Sequence, residues 1–327
     1  MLGGEWDQAD AVAAEDEIVL HATIVADPSS PTVANGVSLC AMDMNQARRT
    51  HLLQRPDGAV AYDDAGTGPL VVAVPGMGDL RSTYDELRTA LLAAGYRVVT
   101  TDLRGHGDSD PGVTRFGDEA TAGDVAALVE HLDAGPAVLV GNSMGSSAAL
   151  VVAGDRPDLV RGLVLLSPFL RNAAAGGARE AVLRLVLRAM LTPPWGAAAW
   201  ARYYRTLNAG TRSPRLDAHA TALRDALRRP GYLRAFRRFA LALDHAVVEP
   251  RLDRVQAPAV AVVGALDPDW SDPAAELAWI GERTGARTVL VPDAGHYPQH
   301  QTPDVVVAAT LDLLAAVGAT GGTAAGA

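Results

Sequence analysis

The sequence predicts an α/β protein: a doubly wound, mostly parallel sheet with a block of helices inserted late in the chain. Three observations carry this. From His51 onward, strand-like and helix-like segments alternate, the pattern that builds a parallel sheet through crossover connections. Several strand segments, "LVVAV" at 70–74 above all, are unbroken apolar runs, as expected of strands buried on both faces. Between Phe169 and Pro250 the alternation stops, and only amphipathic helical stretches remain.

Taken in order, "HLLQ", the turn "RPDG" and "AVAYDD" read as a hairpin, because Pro56 sets φ for the turn and Gly58 accepts a positive one. The strand at 70–74 leads to a helix expected to start near Ser82, with that serine as N-cap, and to end at Gly95. "RVVTTD" (97–102) is the next strand. From Thr121 to Asp133, Val125, Leu128, Val129 and Leu132 recur at helical spacing. "AVLVG" (137–141), a helix at 145–154 and "GLVLLS" (162–167) complete the first half.

The interrupting block should hold helices at 179–191, 195–208, 216–228 and 232–247. Strands at 258–264 and 287–291 then bracket a helix from Pro273, and a last helix runs from Pro303 to Ala316. The expected organisation is an acidic extension at 1–50, a core at 51–168 and 251–317, a helical lid at 169–250 and a flexible tail at 318–327. A lid inserted there would lie over the carboxyl ends of the strands, where such sheets bind ligands.

The net charge of −10 over 327 residues argues against nucleic acid, whose binders displace counterions with a basic face. The charge is uneven: residues 1–50 carry −6 and residues 168–250 carry +9. All 28 basic residues are arginine, and Cys40 is the single cysteine, so neither an intramolecular disulfide nor a thiolate metal cluster is expected. No apolar run approaches the roughly 18–20 residues of a membrane span. The acidic start does not resemble a secretory signal, Leu39 spoils a lipoprotein box before Cys40, and Arg48-Arg49 has no apolar stretch behind it. A cytoplasmic location is the expectation.

The chemistry centres on "VLVGNSMGSSAAL" (138–150). A serine projected above a sheet must sit on a sharp strand-to-helix turn in a sparsely populated backbone conformation. The residues two before and two after it then approach neighbouring backbone and must be small. Gly141 and Gly145 meet that need, which makes Ser143 the candidate nucleophile of a G-x-S-x-G elbow, with the Met144 N–H free at the helix N-terminus.

A serine hydroxyl needs a base oriented by a carboxylate. In the chain order this motif implies, the acid follows a late strand and the histidine follows the last one. Asp267 in "GALDPDW" and His296 in "AGHYPQ" stand there, 124 residues beyond Ser143 and 29 further on. Asp267 is preferred to Asp269, which comes later, and to Asp293, which shares the loop of the base. His106, His219 and His245 are read as loop-shaping, surface or packing residues. The loop "VAVPGMGDL" (72–80), opened by Gly76 and Gly78, should supply the second oxyanion donor through the Met77 N–H.

With "PGMGD", "DLRGHGDSD", "GNSMG", "GALDPDW" and "AGHYPQ" in this order, residues 51–317 resemble an α/β-hydrolase with an inserted helical lid. "PGMGD" departs from the commoner His-Gly start of its loop. The resemblance implies a serine hydrolase acting on a small-molecule ester, lactone or thioester, with acyltransferase and carbon–carbon bond hydrolase as variants on the same triad. Haloalkane dehalogenases and epoxide hydrolases place an aspartate at the elbow, so Ser143 points away from both. A ligand receptor of the same fold with a silent triad is the alternative of a different class. No metal or organic cofactor is required.

For the pocket, Gly76, Phe169 and Trp270 are expected at the site, with Leu183, Leu187, Met190, Trp195, Trp200, Tyr203 and Tyr204 offered by the lid. The basic lid raises the further possibility of an anionic substrate.

Overall fold

The structure, a computed structural model, describes residues 49–172, 178–319 and 321. The expected acidic extension lies outside the described residues except for its last two, and so does most of the tail from 320 on.

Eight strands form one sheet in the order β1-β2-β4-β3-β5-β6-β7-β8. They are β1 (Thr50–Arg55), β2 (Gly58–Ala65), β3 (Leu70–Val74), β4 (Arg97–Thr101), β5 (Ala137–Asn142), β6 (Val160–Leu166), β7 (Ala259–Gly264) and β8 (Arg287–Val291). The first two pair antiparallel, as do β2 and β4, and the remaining pairings are parallel. Every residue of β3 and β5 is buried, which is why their sequences are continuous apolar runs rather than alternations.

Ten α-helices accompany the sheet among the described residues. They are α1 (Asp85–Ala93), α2 (Asp118–Leu132), α3 (Met144–Asp155), α4 (Ala178–Met190), α5 (Gly196–Leu207), α6 (Leu216–Arg228), α7 (Tyr232–Ala242), α8 (Pro273–Thr284), α9 (Pro298–Gln301) and α10 (Pro303–Ala316). The two sheet faces make separate cores. Val72, Leu139 and Leu163 pack with Leu128 of α2, Leu150 of α3 and Ile280 of α8. Their strand neighbours Val71, Val138 and Val164 pack with Leu91 of α1 and Leu314 of α10. The period-two alternation of a strand thus feeds both layers.

The order in which strands are added reverses at β3, because β4 lies on one side of it and β5 on the other while all three run parallel. That switch point opens the crevice in which doubly wound sheets take ligands, and the loops carrying Gly76 and Ser143 leave from it.

Helices α4–α7 fill the gap between β6 and β7 as an insert with its own apolar clusters. Trp200, Leu227 and Phe236 form one; Tyr204, Leu216 and Leu223 form another with Tyr297 of the core. Several of its arginines pair with acids, as Arg205 does with Asp217, Arg215 with Asp85 and Arg229 with Asp108.

Two local expectations are corrected, and one short helix is added. Ser82 is not an N-cap: a 3-10 turn over Arg81–Tyr84 precedes α1, which begins at Asp85. The Arg81 N–H is taken by Asp102 Oδ1 at 2.8 Å, and Ser82 Oγ lies 3.3 Å from His219 Nδ1 on the insert. Helix α7 stops at Ala242, because Asp244 caps a separate 3-10 turn by accepting the Ala246 N–H at 3.0 Å. The short α9 has too few residues to show periodicity in the sequence.

At the start of the tail, Ala319 is buried and donates its N–H to Leu314 O at 2.9 Å, continuing the packing of α10. Among the described residues, no helix is long and apolar enough to cross a membrane.

Candidate active site

Ser143 joins β5 to α3 at φ 53° and ψ −122°, a region that costs a non-glycine residue on the order of 1–3 kcal/mol. Two features hold it there. Its N–H donates to Leu166 O at 2.8 Å, and the flanking glycines leave no room for side chains. A Cβ on Gly141 would sit 2.4 Å from Ser146 N, and one on Gly145 would sit 2.2 Å from Val74 O. The serine between glycines is therefore a strand-to-helix turn pressed against β3.

His296 and Asp267 come from the loops after β8 and β7, and His296 Nδ1 lies 2.8 Å from Asp267 Oδ2. Asp269 Oδ2 is farther off, at 3.5 Å. Asp269 instead donates its N–H to Asp267 Oδ1 at 3.0 Å and accepts the Tyr203 hydroxyl at 3.2 Å. Asp293 is exposed; its carbonyl accepts the Thr211 N–H at 2.7 Å.

The histidine loop is fixed by its backbone. His296 N–H donates to Leu207 O at 2.9 Å, and Asn142, the residue before the serine, donates its amide to His296 O at 3.0 Å. Burial works against protonation of His296, but the Asp267 and Asp269 carboxylates outweigh it and hold the imidazole up at about 9. Burial likewise pushes Asp267 up, and the adjacent imidazole more than reverses that, leaving its carboxyl below the usual range.

The loop after β3 approaches from the other side. A Cβ on Gly76 would lie 3.0 Å from Ser143 Cβ, so only a glycine lets this backbone come so near the serine. The loop turns through a hydrogen bond from Asp79 N–H to Gly76 O at 3.2 Å, with Gly78 at φ 74°. Met77 stands inside that turn, and Met144 is the first residue of α3, where amides have no acceptor within the helix. The insert grips the same loop. Trp200 Nε1 donates to Gly78 O at 2.8 Å, and His219 Nε2 lies 2.6 Å from Asp79 Oδ1, with both side chains of that pair buried.

Ser143 and His296 open onto one cavity of about 380 Å³, lined also by Met77, Phe169, Leu187, Met190, Trp200, Tyr203 and His245. The structure differs from expectation at several wall positions. Trp195 does not line this cavity: its ring is 54% exposed and its indole N–H bonds to Ala189 O at 3.0 Å. Trp270 stands behind the wall, packed on Phe169 at 4.7 Å, and Tyr204 is buried where the insert meets Tyr297 of the core, its hydroxyl 3.4 Å from Asp79 Oδ2. The Leu183 side chain lies outside the described residues.

Among the described residues the cavity wall includes Asp269 and no arginine. Sequence reasoning missed Asp269 and His245 as wall residues. Asp269 is signalled by its place two residues after Asp267, but nothing in the spacing of His245 brings it here.

His106 is buried, with Nδ1 2.9 Å from Arg104 O and its ring edge-on to Phe236 and Phe239; burial lowers it to about 4. Asp267, Asp269 and His296 are the group whose ligand atoms come within 4.8 Å of one another among the described residues. Asp267 Oδ2 and His296 Nδ1 spend theirs on each other.

Comparison with known proteins adds four findings. The model of the family described as "Alpha/beta hydrolase family" matches residues 71–309. The chain is 34% identical over 140 residues to the sn-1-specific diacylglycerol lipase ABHD11 of Mus musculus, covering 42% of this chain and 45% of that protein. It is 32% identical over 113 residues to a 2-(acetamidomethylene)succinate hydrolase of Mesorhizobium japonicum, covering 34% and 40%. The matched stretch thus spans less than half the length of either curated relative. Among solved structures, a thermophilic esterase from Thermogutta terrifontis, with malate bound, superposes with a TM-score of 0.67 at 26% identity. That match covers 82% of this chain and 99% of the esterase.

Proposed function

This chain belongs to the alpha/beta hydrolase family, and from that premise we propose that it is a serine esterase acting on a small, largely apolar carboxylic ester or a related lactone or thioester. The observation that carries the proposal is a strained serine and a carboxylate-held histidine opening onto one apolar cavity. The likeness to an esterase over most of its length supports the same reading.

Asp267 fixes the His296 ring with Nδ1 turned toward it, which leaves Nε2 to take the Ser143 proton as the hydroxyl attacks the ester carbonyl. The N–H groups of Met77 and Met144 receive the oxyanion, and each such donor contributes on the order of 3–4 kcal/mol to lowering the barrier. His296 then protonates the leaving alcohol. Water, deprotonated by the same imidazole, releases the acid and restores the serine. The insert acts as a lid over the cavity, with Leu187, Met190, Trp200 and Tyr203 in its wall.

Rapid mixing with 4-nitrophenyl butyrate tests this. The expected result is a burst of about one 4-nitrophenolate per chain and a fall in kcat of at least 1,000-fold in Ser143→Ala. Ester hydrolysis that survives Ser143→Ala, or turnover of a vinylogous diketone but of no ester, contradicts the proposal.

A further inference from the structure

The cavity has a second polar wall. His245, just beyond α7, has Nδ1 2.8 Å from Oδ2 of Asp118, a buried carboxylate in the first turn of α2. Ser147 Oγ lies 3.3 Å from the same nitrogen and donates its own hydrogen to the Phe169 carbonyl. Both neighbours of Nδ1 are therefore acceptors, so Nδ1 carries a proton, and the Nδ1–H tautomer has its lone pair on Nε2. The ring is fixed in place. Phe169 stacks on it at 5.2 Å and 10°, and the His245 N–H donates to Asn172 Oδ1 at 2.8 Å. Because Nδ1 is engaged and His245 lines the cavity, Nε2 is the nitrogen the ring offers to whatever enters.

Burying such a pair is no economical way to stabilise a fold, since apolar residues of similar size do as well or better. Burial pushes the Asp118 carboxyl above its usual range even against the pull of His245. The position favours a role at the substrate. Ser147 follows Ser143 by four residues on α3, and its N–H donates to Ser143 O at 3.3 Å, so the serine that touches the dyad stands about one helical turn, ~5.4 Å along the helix, from the nucleophile. The cavity wall offers no arginine among the described residues and does carry Asp269, which suits a neutral polar group better than a carboxylate.

Resting on the esterase reading above, we propose that His245, oriented by Asp118 and Ser147, accepts a hydrogen bond from a hydroxyl or amide N–H on the acyl part of the substrate, a few bonds from the scissile carbonyl. The preferred substrates are then hydroxyacyl or amidoacyl esters rather than plain alkanoates.

Matched 4-nitrophenyl esters of butyrate, 3-hydroxybutyrate and 3-methoxybutyrate test this, with fluorophosphonate labelling of Ser143 as the check on the esterase reading. The hydroxyl ester should exceed the other two about tenfold in kcat/KM, the worth of one well-made hydrogen bond. In His245→Phe that ratio should fall to about one. In Asp118→Asn the amide can donate to Nδ1 and move the ring proton to Nε2, so the preference of hydroxyl over methoxy should vanish while the ring stays in place.

Wild-type enzyme that labels and turns over butyrate with no hydroxyl preference overturns the subsite and leaves the esterase reading standing. A preference that survives both substitutions does the same. Folded wild-type protein that neither labels nor hydrolyses any of the three esters overturns the esterase reading and the subsite with it.

Discussion

Ser143 at φ 53° is held by what surrounds it, and Gly145 is the residue that gives it least latitude. An alanine there would bring its Cβ to 2.2 Å from the Val74 carbonyl, at the carboxyl end of the fully buried β3. Gly145→Ala should therefore cost at least the ~3 kcal/mol of severe overpacking and lower the melting temperature by ~10 °C or more, or abolish folding; a melt unchanged within 2 °C contradicts the account of the elbow. His296 gives a second test. Burial disfavours its charge but two carboxylates favour it more, to about 9, so at neutral pH the base rests protonated. Its share of the active form, and with it kcat/KM, should rise with pH well above the ordinary 6.5. In Asp269→Asn the carboxylate at 3.5 Å is gone, and the rise should move to lower pH; movement to higher pH contradicts the assignment. The placement of Ser143 at a strand-to-helix turn, and of His296 beside Asp267, was legible because each lies in a short motif at a strand end. His245 was not legible, because its neighbours Asp118, Ser147 and Phe169 come from three separate elements and only folding unites them.

The loop Gly76–Asp79 and the helical insert behave as one unit. Trp200 on α5 holds the Gly78 carbonyl and His219 on α6 holds the Asp79 carboxylate, so the insert fixes the backbone that presents the Met77 N–H. Trp200→Phe and His219→Gln should each lower kcat about tenfold with KM changed less than threefold, because a misplaced oxyanion donor is felt in the transition state. A rise in KM alone would make these residues mere pocket walls. Element positions were readable from periodicity, since β3, β8, α6 and α10 fall where apolar spacing places them. The Ser82 cap was not. The sequence offers a capping serine, but the Arg81 N–H goes to Asp102 and the serine hydroxyl turns to the insert, partners that no local pattern reveals.

Across the whole molecule, the order of the strands brings the functional loops together. The loops after β3 and β5 flank the switch point, and those after β7 and β8 complete the same edge. The site also leaves a mark on global stability. A histidine raised from 6.5 to about 9 on folding stabilises the native state fully below pH 6.5 and loses that contribution as pH rises through 9. The melting-temperature advantage of wild type over His296→Gln should accordingly shrink between pH 6 and 9.5; an advantage that grows contradicts the raised value. The measurement that bears most directly on the central claim is stoichiometric labelling with a fluorophosphonate, read by intact mass and peptide mapping. One phosphonyl group per chain, on Ser143, with labelling slowed at least 100-fold in His296→Ala, is the predicted result. Folded protein that takes up no label, or a label on Ser143 that forms equally fast without His296, would contradict it.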